Sequence, residues 1–376
     1  MKPLVKHLGM LALLLLTFAG QAFSQQDEEE EMSRYFREKD WVTWQQGIAN
    51  PLAAKKLFIR DKEPIDYEAL RKFTNLEQLI VYESPIEDLS WLADYPKLKV
   101  LEFQGNSLKS LEGVQVLKGL QEFACNHNFV QDLKPLDSLL DLTWVQIYDN
   151  DIETLEPIAH LPKVKTLDVS RNDIRSLKPI ANWTWLTNLS VYNSENLIDI
   201  SEIANFKGLT DLNISFLPVP NFSLQMLEDH KELKNLRIQG MVNSNEQLKY
   251  IMHHPKLEQL TMGKNDNVTT IDSLRFLTKL RYLDIHSNNV SDLTVVRNFP
   301  RLVKIVIYRN PIMDLSPLLN CPDLRSLFTH EIPAKDYSPL YQMAWLQHLN
   351  VSKNAFTMEQ AVALKKALSK TKISFY

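Results

Sequence analysis

From residue 54 to the C-terminus, apolar residues return at one fixed spacing, Leu-x-x-Leu-x-Leu-x-x-Asn-x-Ile/Leu-x-x-Leu. The first apolar position falls at Leu76, Leu98, Leu120, Leu142, Val164, Leu186, Leu209, Leu233, Leu257, Leu280, Leu302, Leu324 and Leu346. The step is 22 residues up to Leu186, widens to 23, 24, 24 and 23, and returns to 22 from Leu280 onward. A weaker copy starts at Ala54, with Leu57 and Ile59 in the strand positions. Each unit can bury its apolar side only against the next, so a fixed period of this length predicts a solenoid of about 14 repeats.

The unit from Val164 to Trp185 shows how one coil works. Leu167 and Val169 face inward and Asp168 outward, by the two-residue period of a strand. Asn172 follows at the turn, where its amide can both donate and accept. Asparagine holds this place at Asn106, Asn128, Asn150, Asn172, Asn265, Asn288, Asn310 and Asn354. Ile174 and Leu177 return to the core, and Lys178-Pro179-Ile180 opens a short helical turn. Proline suits a helix start because its missing N–H has no partner there. The same device recurs at Pro135, Pro157, Pro317 and Pro339. The fold class is α/β: a curved parallel β-sheet on a concave face, with short 3-10 or α turns on a convex face.

Units such as Asn172-Asp173-Ile174-x-x-Leu177-x-Pro179-Ile180 and Asn310-Pro311-Ile312-x-Asp314-Leu315-Ser316-Pro317-Leu318 resemble the 22-residue leucine-rich repeats of bacterial internalins. They also resemble the repeat type of eukaryotic phosphatase regulatory subunits. The resemblance covers residues 54–376 and implies protein binding through the concave face. The chain departs from surface internalins in showing neither a C-terminal immunoglobulin-like module nor a sorting signal.

The ends read differently. Lys2 and Lys6, the apolar run Leu8 to Phe18 and the small-residue exit Ala22-Phe23-Ser24 predict a secretory signal peptide over 1–24. An acidic, disordered leader follows at 25–32, and an N-terminal helical cap at 33–53, with Trp41, Trp44 and Ile48 at helical spacing. The solenoid is assigned to 54–356. Thr357-x-x-Gln360 is a capping-box pattern that opens a capping helix, and Ile373 and Phe375 a last strand, over 357–376. Repeats from Leu209 to Lys256 lack the turn asparagine, and Glu246 to Met252 suggests an α-helix there. No later segment is apolar enough to span a bilayer. The expected location is therefore secreted or periplasmic.

Charge and chemistry narrow the function. Loss of Lys2 and Lys6 takes the formal charge from −4 to −6, with five negatives in Asp27 to Glu31. The folded remainder is near neutral and does not suggest nucleic acid. Cys125 and Cys321 lie about eight repeats apart, on the order of 40 Å at one strand spacing per repeat, so buried free thiols are expected. Nine glycines leave no phosphate cradle. Asp149-Asn150-Asp151-x-Glu153 has the flavour of a calcium loop, yet lacks its glycine and distal glutamate. No cofactor, metal or enzymatic activity is expected. The Asn-x-Ser/Thr matches at Asn182, Asn213, Asn267 and Asn289 are cheap in an asparagine-rich repeat.

The outward strand positions carry the functional expectation. Tyr82, Trp144, Tyr148, Asp168, Arg171 and Tyr192 lie in the N-terminal half, and Tyr282, His286, Tyr308, Arg309 and Phe328 in the C-terminal half. Tyr, Trp and Arg are the types that dominate interface energies, and exposed aromatics need a reason. This set is expected to bind a protein or peptide. The alternative is a glycan or cell-wall fragment, stacked on the aromatic rings.

Overall fold

The computed structural model describes residues 41–60, 65–86 and 88–376. The proposed signal peptide, acidic leader and first part of the cap lie outside these residues. The described residues divide into two compact units, one running from residue 41 to 206 with 217–219, the other of 207–216 and 220–376. Within each unit the strands are parallel and ordered as in the chain.

In the first unit these are β1 (Trp41–Thr43), β2 (Lys56–Ile59), β3 (Gln78–Tyr82), β4 (Val100–Gln104), β5 (Glu122–Ala124), β6 (Trp144–Gln146), β7 (Thr166–Asp168) and β8 (Asn188–Ser190). Each step in register joins equivalent repeat positions, as in Leu79↔Leu101, Phe123↔Val145 and Leu167↔Leu189. The inward leucine-type residues are fully buried, from Leu57 and Leu79 to Val145 and Leu189. Removing one such side chain would cost roughly 2–5 kcal/mol, because transfer and cavity terms add.

The second unit holds β9 (Asp211–Asn213), β10 (Asn235–Arg237), β11 (Gln259–Thr261), β12 (Tyr282–Asp284), β13 (Lys304–Val306), β14 (Ser326–Phe328), β15 (His348–Val351) and β16 (Lys372–Phe375). The register again joins leucine to leucine, from Leu212↔Leu236 to Leu349↔Ile373. The helix Met358–Ala367 opens on a formed capping box between Thr357 and Gln360.

The returning arms are mostly 3-10 turns. Lys134–Leu136, Glu156–Ile158, Lys178–Ile180, Ser316–Asn320 and Ser338–Gln342 each carry proline in their first two positions. The segment expected to be an α-helix near Glu246 is instead a six-residue 3-10 helix, Asn245–Tyr250. Its backbone bonds run back three residues, as from Gln247 N–H to Ser244 O and Ile251 N–H to Leu248 O. The helical spacing read from Trp41, Trp44 and Ile48 also fails. Trp41 begins β1, which pairs with β2 through Trp41↔Lys56, and Ile48 is exposed. Among the described residues of this segment, Trp44–Gly47 (α1) is α-helical and Pro51–Ala53 a 3-10 turn. The sheet edge supplies backbone partners that a short isolated helix could not match.

The turn asparagines form a buried ladder. Asn172 Nδ2 donates to the carbonyls of Ile147 (2.7 Å), Val169 (3.1 Å) and Ser170 (3.1 Å), and its Oδ1 accepts the Ile152 N–H at 3.0 Å. Asn310 repeats this pattern in the second unit with Ile285, Ile307, Tyr308 and Val290. One side chain thereby satisfies three or four backbone groups inside a curve that cannot satisfy them itself. Asn354 does not join the ladder. It lies exposed in the 3-10 turn Lys353–Ala355.

Candidate functional site

The outward side chains fall into rows, one residue per strand. A mid-strand row in the first unit runs Ile80, Glu102, Ala124, Gln146, Asp168 and Ser190. Two residues later a strand-end row runs Tyr82, Gln104, Asn126, Tyr148, Ser170 and Tyr192. Its carbonyls accept the ladder bonds of the preceding repeat, as in His127 N–H to Tyr148 O at 2.9 Å and Arg171 N–H to Tyr192 O at 2.8 Å. The next residue is the turn row. It adopts positive φ at Glu83, Gly105, His127, Asp149, Arg171 and Asn193, and in the second unit at Phe216, Gly240, Lys264, Ser287, Arg309 and Glu331. Left-handed backbone costs a non-glycine residue about 1–2 kcal/mol. Its recurrence at one slot marks a turn device of the repeat.

In the first unit the turn row makes a charged chain beside Tyr148. Asp149 accepts from His127 Nδ1 at 2.5 Å and from Arg171 Nε at 2.8 Å. The His127 ring meets the Tyr148 ring edge-on at 4.8 Å, and the Arg171 guanidinium lies 5.8 Å from its centre. The His127 hydrogen bond, with Arg171 behind it, holds the Asp149 carboxyl down at about 2. Burial pushes the Tyr148 hydroxyl up to about 12. Asp149 is thus committed to His127 and Arg171 and the Asn150 Oδ1 to the Val130 N–H at 3.0 Å, which removes two oxygen donors from the calcium-loop reading.

In the second unit the strand-end row is a stack of rings. His286 and Tyr308 lie 4.8 Å apart at 22°, Tyr308 and His330 4.2 Å at 16°, and His330 and Tyr376 5.2 Å at 26°. His286 Nδ1 is bonded to Asp284 Oδ1 at 2.6 Å. The ring leans over Gly263, where an added Cβ would lie 2.4 Å from Nδ1. Glycine is required there by contact. Nearby, the Lys304 ammonium lies 5.3 Å from the Tyr282 ring and 5.0 Å from the Phe328 ring. Arg309 grips Glu331 through Nε at 2.7 Å and Nη2 at 3.2 Å.

Of the eleven residues singled out, Tyr148, Arg171 and Tyr192 gather on adjacent strands of the first unit. Trp144 starts the Tyr148 strand in a separate row. Tyr282, His286, Tyr308, Arg309 and Phe328 gather in the second unit. Tyr82 stands apart, in its own cluster with Phe58 (6.3 Å) and Arg60 (5.5 Å). Four residues depart from the exposed face expected of them: Tyr82 and Asp168 are 2% exposed, Tyr282 and His286 6%. Phe58 and Arg60 cover Tyr82. The short Asp168 side chain folds back onto the Ser170 N–H at 3.0 Å. Lys304 covers the Tyr282 ring, and His286 is wedged between Asp284 and Tyr308.

Pattern reading missed His127, Lys304 and Tyr376, and met Asp149 only as part of a calcium-like loop. His127 and Asp149 share the slot of Arg171 and Arg309, one residue before the turn asparagine, so extending that row would have found them. Tyr376 carried no signal, because its place depends on the last strand's register. Cys125 and Cys321 are buried free thiols, as expected. His254 is buried between the Ile251 and Leu227 carbonyls, a structural position.

No family model matches the chain, and no curated protein matches it in sequence. Solved structures do match in fold. A leucine-rich repeat protein of Leptospira interrogans superposes with a TM-score of 0.65 at 18% identity, covering 88% of this chain and 98% of that one. An internalin of Listeria monocytogenes, inlF, gives 0.64 at 21%, covering 83% and 89%. The ectodomain of the Arabidopsis thaliana receptor kinase GASSHO1/SCHENGEN3, solved in complex with CASPARIAN STRIP INTEGRITY FACTOR 2, gives 0.59 at 14%, covering 87% and 45%. Among the described residues no helix is long and apolar enough to cross a membrane. Repeat spacing, strand order and fold neighbours agree: this chain has the fold of a leucine-rich repeat solenoid, similar to that of an internalin.

Proposed function

We propose that the chain is an exported, non-enzymatic binding protein that holds a protein or peptide partner on its outward strand face. The carrying observation is that Tyr148 and Tyr308 remain partly accessible while neighbouring rings and charges fix them. Side chains ordered before binding lose little entropy when a partner arrives. Tyrosine and arginine in such settings are the usual anchors of protein interfaces. Export is supported by the N-terminal charge and apolar pattern, and the secreted or periplasmic location rests on the same segment.

The glycan alternative gains less support. Sugar rings stack on free aromatic faces, but Tyr308 has His286 on one side and His330 on the other. The Tyr148 ring is likewise engaged by His127 and Arg171.

The test is affinity capture from culture and envelope fractions with the wild type and with Trp144→Ala plus Tyr148→Ala, beside Tyr308→Ala. Each central aromatic truncation should weaken a captured protein by about 2 kcal/mol, roughly 30-fold. Unchanged capture by both variants would end the strand-face reading. Retention on a glycan array that the variants abolish would favour the alternative. N-terminal sequencing of the exported chain tests the cleavage expected near Gln25.

A further inference from the structure

Charge is unevenly spread along the chain. Residues 257–376 hold 15 Lys and Arg against 10 Asp and Glu, whereas residues 1–256 hold 27 against 36. In the second unit part of this surplus gathers along the edge where the strands begin. A backbone ladder sets that edge. The Arg281 N–H donates to Glu258 O, Val303 to Arg281 O and Arg325 to Val303 O, each at 2.7 Å. Gln347 N–H then donates to Arg325 O and Lys372 N–H to Gln347 O, both at 2.8 Å. Lys279 and Arg301 stand two residues before Arg281 and Val303, and Lys304 follows Val303 directly. Lys279, Arg281, Arg301 and Lys372 are exposed, and Arg325 is half-buried. The acids of the same rows are Glu258 and Asp323.

Elsewhere the same repeat slots hold closed ion pairs. In the first unit Lys55 and Lys99 both reach Glu77, at 2.8 and 3.7 Å, and Lys163 reaches Asp141 at 2.6 Å. In the second unit Lys256, one slot before Lys279, pairs with Glu232 at 2.5 Å. From Lys279 onward this edge changes. Among the described residues, no carboxylate lies within ion-pair distance of Lys279, Arg281, Arg301, Arg325 or Lys372. Arg325 gives Nη1 to the Pro322 and Leu324 carbonyls, at 2.9 and 3.1 Å, which fixes the guanidinium without neutralising it. Six cations therefore share the edge with two acids, and a gathering of one sign draws a partner of the other. The closed pairs show what these slots take: a carboxylate set about one strand spacing, ~4.8 Å, along the edge. Alternate side chains of an extended peptide stand about 6.8 Å apart on one side, a difference that long Lys and Arg side chains absorb. The arginine fork also matches a carboxylate with two parallel bonds.

We propose that the strand-start edge of the second unit, from Lys279 to Lys372, docks an acidic segment of the protein partner, whose carboxylates complete the ion pairs that the repeats leave open. Lys304 joins this edge to the strand face, because its ammonium lies against the Tyr282 and Phe328 rings. One partner thus meets rings on the face and cations at the rim. The inference rests on the proposed function and adds to it the charge of the partner segment.

The experiment titrates the full chain with three probes. These are a blocked, fluorescently labelled peptide of alternating Glu and Ser, the same peptide with Gln for Glu, and phosphatidylglycerol vesicles. By anisotropy, the Glu peptide should bind about tenfold or more tighter than the Gln peptide at about 0.05 M salt, and lose most of that advantage by about 0.5 M. Lys279→Gln with Arg301→Gln should weaken the Glu peptide about tenfold. Lys134→Gln with Lys178→Gln, which removes two exposed charges from arms of the first unit, should leave its affinity unchanged. Equal binding of the two peptides, the same loss in both double variants, binding of vesicles alone, or no peptide binding at millimolar concentration overturns the proposal. The comparison of peptides on the unmodified chain stands even if a variant does not fold. A captured protein lost with the Trp144/Tyr148 variant but kept in full with the Lys279/Arg301 variant would leave the strand-face function standing and remove this edge from it.

Discussion

The same repeat slot, at the end of each strand, holds two different chemistries. In the first unit it presents Gln104, Asn126 and Tyr148, buried amides with one unpaired polar atom each next to one fixed ring. In the second it presents His286, Tyr308 and His330, rings that cover one another. The backbones beneath are alike: Asn172 and Asn310 make the same four kinds of bond to equivalent neighbours. A solenoid thus separates scaffold from surface, since inward positions fix the coil while outward positions vary with little effect on it. The rings of the second unit stack on one another, which holds them in place. The amides of the first leave hydrogen-bonding capacity unspent.

The likeness of the scaffolds can be broken first. Asn172→Ala and Asn310→Ala each strip partners from three carbonyls and one N–H, and each should lose about 4 kcal/mol of stability. Asn354→Ala, outside the ladder, should stay within about 0.5 kcal/mol. Denaturant midpoints of the three variants decide this, and a marked difference between the first two would mean that the two asparagines do not do equivalent work.

The polar character of the first unit can be tested at Glu102. Burial lifts its carboxyl to about 7. An unfolded glutamate ionises near 4.3, so the fold loses stability as pH rises from that value to about 7. Glu102→Gln should therefore stabilise the protein by on the order of 3 kcal/mol above pH 7. The gain should fade toward pH 4, read from thermal midpoints across pH.

The ring stack of the second unit rests on Gly263. Gly263→Ala places a methyl against both the ring and the carbonyl oxygen of His286, and the overpacking should cost about 2 kcal/mol. Near-ultraviolet circular dichroism should show the tyrosine environment loosening. An unchanged spectrum and midpoint would mean that the stack does not depend on this floor.

The smallest effect expected is a pH response of the same stack. Burial lowers the His330 pKa. A histidine held below its unfolded value adds stability above the unfolded pKa, near 6.5, and loses it as pH falls. The second unit should therefore weaken modestly below pH 6.5, and His330→Phe should flatten that slope in thermal melts. A slope unaltered by the variant would assign the response elsewhere.

The sequence alone determined the coil. Period, leucine positions, turn asparagines and proline starts follow from local geometry, because each recurs along the chain and depends only on neighbours a few residues or one repeat away. That is why β2 to β15 and most of the asparagine ladder were legible, and why Tyr148, Arg171, Tyr308 and Arg309 could be put on an outward face. Tertiary structure decided what the pattern could not carry. Trp41 joined a sheet edge in place of a helix, and Asn354 left the ladder near the chain's end, where the coil stops repeating. Tyr82, Tyr282 and His286 were covered by side chains from neighbouring strands, and Asp168 folded back onto the Ser170 N–H. Tyr376 reached the His330 ring. The unpaired atoms of Gln104, Asn126 and Gln146 depend on which hydrogen bonds their neighbours take first. Alternation along a strand fixes the side of the sheet on which a residue stands; contacts between strands, set by the size and polarity of residues one repeat apart, fix whether that residue is free, stacked or covered.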